Sequence, residues 1–247
     1  MTGSAWIRNF HPAPDAATRL VCFPHAGGSA PFYFPVSRTL SPEIDVLAIQ
    51  YPGRQDRRTE PLIDDVRLLA DAIVEELKNG WLDKPVTLFG HSLGANIAFE
   101  VALRLEAQGI VPLGLFASGR RAPSMHRENE VVHKSSDDGL INTLKKMSGT
   151  DAAILGDEEV LRMSIPAIRS DYKAAETYRY AEGPKLKTPI LVLTGNSDPE
   201  VTLDEARGWA SHTRGEFSLQ VFTGGHFYLN EHAPAVMAEI SKHVQEA

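Results

Sequence analysis

The sequence predicts an α/β fold, and three observations carry that prediction. Short β-prone runs alternate with longer amphipathic ones. The short runs are apolar throughout, as strands buried on both faces of a parallel sheet must be. One long helical stretch interrupts the alternation between two neighbouring strands.

Taken in order, Leu20–Phe23, Val46–Ile49, Val86–Phe89, Leu113–Ala117 and Ile190–Leu193 are the candidate strands, each close to Gly, Pro or polar punctuation. Phe217–Phe222 alternates apolar and polar residues and reads as a sixth strand near a sheet edge. Over Asp64–Lys78, the residues Val66, Leu69, Ala70, Ile73, Val74 and Leu77 recur at helical spacing and form one apolar stripe. Asp64 and Asp65 suit the positive end of that helix, and Asn79-Gly80 suits its stop. Ala95–Gln108 is a second helix closed by Gly109; Leu203–Ser211 and Pro234–Val244 are further candidates. Strands alternating with helices mean βαβ units. After Ala117, some seventy residues pass before the next strand. Helical patterns fill that stretch over Asp137–Met147 and Asp157–Tyr180, the latter interrupted at Pro166. Residues 120–182 therefore read as a helical lid inserted into a single domain spanning residues 1–247.

The 247 residues can bury a sizeable core, and 43% apolar with 23% charged residues is ordinary for a globular chain. A net charge of −7 argues against non-specific binding to nucleic acid or an anionic membrane. Cys22 is the single cysteine, so no intrachain disulfide forms. No apolar stretch is long enough to span a bilayer and the N-terminus lacks an apolar secretory core, so a cytoplasmic protein is expected. The motifs of zinc peptidases, of Walker-type phosphate loops and of dinucleotide-binding turns are missing, and the nine histidines lack ligand spacing. Neither a metal nor a cofactor is expected.

Gly90-His91-Ser92-Leu93-Gly94 carries the chemistry. It fits G-x-S-x-G between a β-prone and a helix-prone run, the strand–turn–helix context of a nucleophile elbow. The turn would lift the Ser92 hydroxyl clear of the sheet beside free helix N–H groups. A serine nucleophile needs a base and the base an orienting carboxylate, in the order Ser, Asp or Glu, His. Asp198 follows the strand at Ile190–Leu193, and His226 follows the next one. Glu200 and Asp204 are nearby rivals for the acid. His91 reads as a packing or hydrogen-bonding residue, because its side chain points away from its neighbour's hydroxyl. His212, His232 and His243 read as surface residues on helices. The oxyanion needs two N–H donors; Leu93 and Ala26, the latter in the glycine-bearing loop Phe23–Gly28, are the candidates. His25, Met147, Met163 and Ile168 are candidate substrate-pocket residues, with Leu155 and Ile165 as further apolar lid positions; all of the lid positions could instead only pack lid against sheet.

These residues carry a family likeness. The chain resembles the type II thioesterases, stand-alone α/β-hydrolases that accompany polyketide synthases and nonribosomal peptide synthetases. The likeness runs through Phe23-Pro24-His25-Ala26-Gly27-Gly28, Tyr51-Pro52-Gly53-Arg54 and Gly90–Gly94. It continues through Arg169-Ser170-Asp171-Tyr172, Gly195-Asn196-Ser197-Asp198 and Gly224-Gly225-His226-Phe227. Many relatives carry Asp where Asn196 stands, which leaves Asp198 as the acid of that turn. The resemblance implies an α/β-hydrolase fold, a mostly parallel twisted sheet flanked by helices with a helical lid. It also implies hydrolysis of acyl groups from the phosphopantetheine arm of acyl or peptidyl carrier proteins, an editing step in antibiotic biosynthesis. Carrier proteins are usually acidic, as this chain is. Docking would need local positive charge, for which Arg54, Arg57 and Arg58, or Arg120, Arg121 and Arg127, are candidates; each alone is as readily a solvated surface residue. The alternatives are a carboxylesterase of small oxygen esters with the same triad and a non-catalytic hydrolase-like binding protein.

Overall fold

A computed structural model describes residues 4–128, 130–146 and 158–246. Its strands are β1 (Ile7–Arg8), β2 (Arg19–Phe23), β3 (Asp45–Ile49), β4 (Val86–His91), β5 (Gly114–Ser118), β6 (Ile190–Gly195) and β7 (Phe217–Phe222). They form one sheet in the order β1-β3-β2-β4-β5-β6-β7. β1 is antiparallel to β3 and every other pairing is parallel. β2 to β5 are buried along their whole length, as their unbroken apolar runs require. β7 closes one edge and is partly exposed. The two-residue β1 is the strand that the sequence does not announce, being too short to show any period.

The helices are α1 (Phe34–Leu40), α2 (Val66–Leu77), α3 (Leu93–Ala107), α4 (Asp137–Lys146), α5 (Glu158–Thr177), α6 (Leu203–Arg207), α7 (Tyr228–Glu231) and α8 (Ala233–Glu246). α2 starts where expected. The Asp65 carboxylate accepts the N–H groups of Arg67 (2.8 Å) and Leu68 (3.0 Å), a cap contributing about 1 kcal/mol. Its stripe of Val66, Leu69, Ala70, Ile73, Val74 and Leu77 is buried in full. α2 and α3 cover one face of the sheet through a core that includes Phe99, Leu105 and Trp209. Tyr33, Phe89, Phe116, Tyr228 and Ile240 form the core on the other face.

Between β5 and β6 stand α4 and α5, whose Leu140, Ile141 and Leu144 meet Leu161, Ile165 and Ile168 in a small apolar cluster of their own. α5 runs through Pro166 without interruption, contrary to the expectation from sequence. Pro166 lies on the exposed face, so the carbonyl it frees can be solvated, while Leu161, Ile165 and Ile168 hold the opposite face.

One buried ion pair ties α5 to the body. Arg54 Nη1 and Nη2 donate to Asp171 Oδ2 (2.7 Å) and Oδ1 (2.8 Å), and Asp171 Oδ2 also accepts the Gly27 N–H at 2.8 Å. The Asp171 side chain is 1% exposed and that of Arg54 9%. Replacing Asp171 with Ala leaves a guanidinium buried without its counter-charge, and we expect a loss of about 3–5 kcal/mol in urea denaturation. The double variant Asp171→Leu with Arg54→Met, which removes both charges, should recover most of that loss.

Candidate functional site

β4 sits at the centre of the sheet, and its C-terminal end turns directly into α3. At that turn Ser92 has φ 55° and ψ −118°, a conformation that non-glycine residues rarely adopt. The flanking glycines make it possible. A Cβ on Gly90 would lie 2.1 Å from the Gly94 carbonyl oxygen, and one on Gly94 would lie 2.1 Å from that of Phe23. The Ser92 N–H donates to the Ser118 carbonyl at 2.8 Å, which fixes the turn against β5.

Two strands along, the turn after β6 carries Asp198 and the turn after β7 carries His226. Both turns interlock, with Asn196 N–H donating to Phe222 O (2.8 Å) and Ser197 N–H to Gly224 O (2.9 Å). His226 Nδ1 donates to Asp198 Oδ2 (2.9 Å) and Oδ1 (3.1 Å), and both side chains are buried. Asp198 Oδ1 also accepts the Glu200 N–H at 2.8 Å, so its place in the turn is set from the other side. Neither rival carboxylate bonds His226: Asp204 pairs with Arg207 and Glu200 makes no ion pair among the described residues. Ser92 and His226 line one cavity of about 270 Å³ together with His25, Ala26, Leu93, Arg120 and Phe227. The Ser92 hydroxyl makes no hydrogen bond to a described residue, so it is free to turn toward an incoming group.

The loop Phe23–Gly28 reaches the same cavity and is pinned from three sides. Tyr33 OH donates to Phe23 O (2.8 Å), Tyr51 OH to Pro24 O (3.0 Å), and Asp171 holds the Gly27 N–H. Leu93 is the first residue of α3, so its N–H has no acceptor within the helix.

His91 faces away from Ser92, as expected. Its Nδ1 hydrogen-bonds Ser118 Oγ at 2.9 Å, and Ser118 Oγ bonds Tyr228 OH at 2.6 Å. Its ring packs against His226 with centroids 5.0 Å apart. Cys22 is fully buried in β2, and burial pushes its thiol well above the ordinary range, so it is no nucleophile.

Several expectations need correction. Met163 is 70% exposed and does not line the cavity; it lies two residues from Ile165, hence on the far side of α5. Ile168 is buried, but a Cβ on Gly27 would meet its Cγ1 at 2.9 Å; it presses on the loop and does not line the cavity. Met147 and Leu155 lie outside the described residues. His212 is buried, not on the surface, and bonds Ser124 Oγ at 2.9 Å; His243 is half-buried and bonds the Leu113 carbonyl at 3.0 Å. Most of the candidate docking arginines are spent internally. Arg54 binds Asp171, Arg57 binds Glu60, Arg121 binds Glu130 and Arg127 binds Glu205. Buried guanidinium groups require such partners; Arg58 alone of the first trio is exposed without one among the described residues. The sequence reading also passed over Tyr172, Glu176 and Glu200 as cavity residues. Their positions depend on how α5 and the β6 turn pack, which no local pattern records.

A mostly parallel seven-stranded sheet, with a serine at the elbow after its central strand and an Asp–His pair at the same edge, defines an α/β-hydrolase. The thioesterase domain family matches residues 18–244. A probable cadicidin biosynthesis thioesterase of Streptomyces griseus is 52% identical over 98% of the chain, which spans 66% of that relative. Thioesterase PikA5 of Streptomyces venezuelae is 48% identical over 97% of the chain, which spans 85% of that protein. The structure of the type II thioesterase BorB from the borrelidin biosynthetic cluster superposes with a TM-score of 0.94 at 51% identity. That match covers 98% of this chain and 99% of the other. The chain belongs to the thioesterase family, and within it to the type II thioesterases, which are hydrolases.

Three histidines near the site or in the core are held neutral. Burial pushes His25 down to about 3 and His212 to about 4, and holds His91 well below 6.5. The unfolded chain takes up protons at these positions near pH 6.5, while the folded chain does not until the pH is far lower. Stability is therefore whole above about pH 6.5 and is lost as the pH falls toward 4. We expect a lower urea midpoint at pH 5 than at pH 7.5, and a smaller difference between the two in the variant His212→Gln.

Proposed function

We propose that Ser92, His226 and Asp198 form the catalytic triad of an editing thioesterase that clears acyl groups from the phosphopantetheine arm of carrier proteins. The Asp198–His226 hydrogen bond, beside a cavity that Ser92 also lines, carries this reading. In it, His226 Nε2 takes the Ser92 proton as Oγ attacks the thioester carbonyl. Asp198 keeps the Nδ1 proton in place and stabilises the imidazolium that forms. The N–H groups of Leu93 and Ala26 receive the oxyanion. Collapse of the tetrahedral intermediate breaks the C–S bond, the imidazolium of His226 gives its proton to the departing sulfur, the pantetheine thiol leaves, and an acyl-serine remains. His226 then takes a proton from water, which attacks the acyl-serine. The acid leaves and Oγ recovers its proton.

The helices α4 and α5 act as the lid, roofing the cavity through Thr143, Leu144, Tyr172 and Ala175. With Asp171 bonded to Gly27, the lid also supports the loop that carries Ala26 and His25. The relatives named for cadicidin biosynthesis and the borrelidin cluster support an assembly-line substrate. An assembly-line substrate of this kind supports a cytoplasmic location. Arg54, Arg57, Arg121 and Arg127 are too fully engaged to dock a carrier, which leaves the docking to other surface groups.

Ser92→Ala should lose at least about 10³-fold in kcat with an unchanged melting temperature, since it removes the nucleophile and nothing in the core. Turnover near the wild-type rate in that variant would end the triad reading. The enzyme should hydrolyse acyl thioesters on a carrier protein with a higher kcat/KM than p-nitrophenyl esters of the same acyl group. The opposite ranking would favour an oxygen-ester hydrolase.

A further inference from the structure

Two motifs take no part in the triad, Tyr51-Pro52-Gly53-Arg54 and Arg169-Ser170-Asp171-Tyr172, and both end on the loop that carries Ala26. Ala26 lines the cavity with Ser92 and His226, and its N–H has no acceptor among the described residues. The peptide groups on its two sides are both fixed. The His25 carbonyl accepts the Gly28 N–H at 2.9 Å. That carbonyl and the Ala26 N–H belong to one planar trans peptide, so the N–H points away from the turn. The next peptide unit ends in the Gly27 N–H, which donates to Asp171 Oδ2 at 2.8 Å. Held at both neighbours, the Ala26 N–H cannot swing.

The grip on Gly27 comes from α5. Ile168 and Asp171 are three residues apart and share a face of that helix. A Cβ on Gly27 would lie 2.9 Å from Ile168 Cγ1, and Gly27 has φ 76°, so the position accepts no larger residue. Asp171 also binds Arg54, whose Nη1 donates to the Gly28 carbonyl at 3.3 Å. To staple α5 to the body, Asp171 needs the guanidinium alone. The same carboxylate oxygen nevertheless takes the Gly27 N–H, a contact that adds nothing to charge balance and orients the loop.

Resting on the triad and on Ala26 as oxyanion donor, we propose that Asp171 is a positioning residue for the reaction: through Gly27 it sets the direction of the Ala26 N–H, so that the oxyanion is received only while α5 is seated. The oxyanion exists in the transition state and not in the bound substrate. Asp171 therefore acts on kcat and leaves KM little changed.

The test compares two double variants, Asp171→Leu with Arg54→Met and Asp171→Asn with Arg54→Met, on the butyryl thioester of N-acetylcysteamine. Both remove the ion pair, and their side chains at 171 are close in shape. Only asparagine keeps an oxygen for the Gly27 N–H. It also buries an amide that leucine does not, so a role in stability alone would favour the leucine variant. We expect kcat to be about tenfold higher in the asparagine variant, with KM equal within about threefold, since a misdirected oxyanion donor costs up to about 10²-fold in kcat. A kcat no higher in the asparagine variant, or a difference confined to KM, would overturn the proposal. If either double variant does not fold, Asp171→Asn alone decides. Its single oxygen is shared between Arg54 and Gly27, so kcat should fall severalfold at nearly constant KM, and an unchanged kcat would overturn the proposal. Failure of the triad reading looks different: the wild-type enzyme turns over no thioester, and a fluorophosphonate does not label Ser92.

Discussion

At the junction of β4, α3 and β2, three stretches of backbone approach more closely than side chains allow, and the rest of the site depends on that contact. Gly90 lies under the Gly94 carbonyl, and Gly94 lies under that of Phe23. With no Cβ at either position, the chain can reverse sharply enough to hold Ser92 at positive φ. The strain at Ser92 is tolerated because elements on every side are buried: β4 and β2 completely, and α3 over most of its first three turns. The result is a hydroxyl raised above the sheet at the first turn of a helix, where N–H groups are free by construction.

The same contact joins the elbow to the loop after β2, and that loop is where the separate family motifs converge. Tyr51 and Arg54 belong to one motif, Asp171 to another, and Phe23–Gly28 to a third. In the structure, Tyr51 bonds Pro24, Arg54 bonds Asp171, and Asp171 bonds Gly27. A carboxylate buried at 1% exposure would be costly alone. Here three N–H donors satisfy it, and the helix bearing it is held to the body. The two-sided coupling means that the roof of the cavity and the loop carrying Ala26 cannot shift independently.

Below the cavity, the fold keeps aromatic and imidazole rings together without charging them. His25 packs edge-on to Phe32 and Phe227, and His91 packs against His226 and Phe227. A proton on His25 or His91 would sit beside the ring of His226, and burial together with that proximity keeps both neutral.

Much of this was legible in the chain itself. The alternation of short apolar runs with amphipathic ones located the strands within a residue or two. The order of Ser92, Asp198 and His226 along the chain picked out residues at one sheet edge, because a parallel sheet delivers every post-strand turn there. Where the sequence misled, the error was one of rotation or partnership. Met163 and Ile168 share a helix with Ile165, yet one faces solvent and the other a glycine loop. Arg54 and Arg121 look like surface charge until their acids, 117 and 9 residues away, are seen beside them. Local chemistry decides which residues can form a helix, a sharp turn or a nucleophile, since those depend on neighbours in sequence. Which face of a helix meets a cavity, and which carboxylate neutralises which arginine, depends on elements brought together from distant parts of the chain, and only packing decides it.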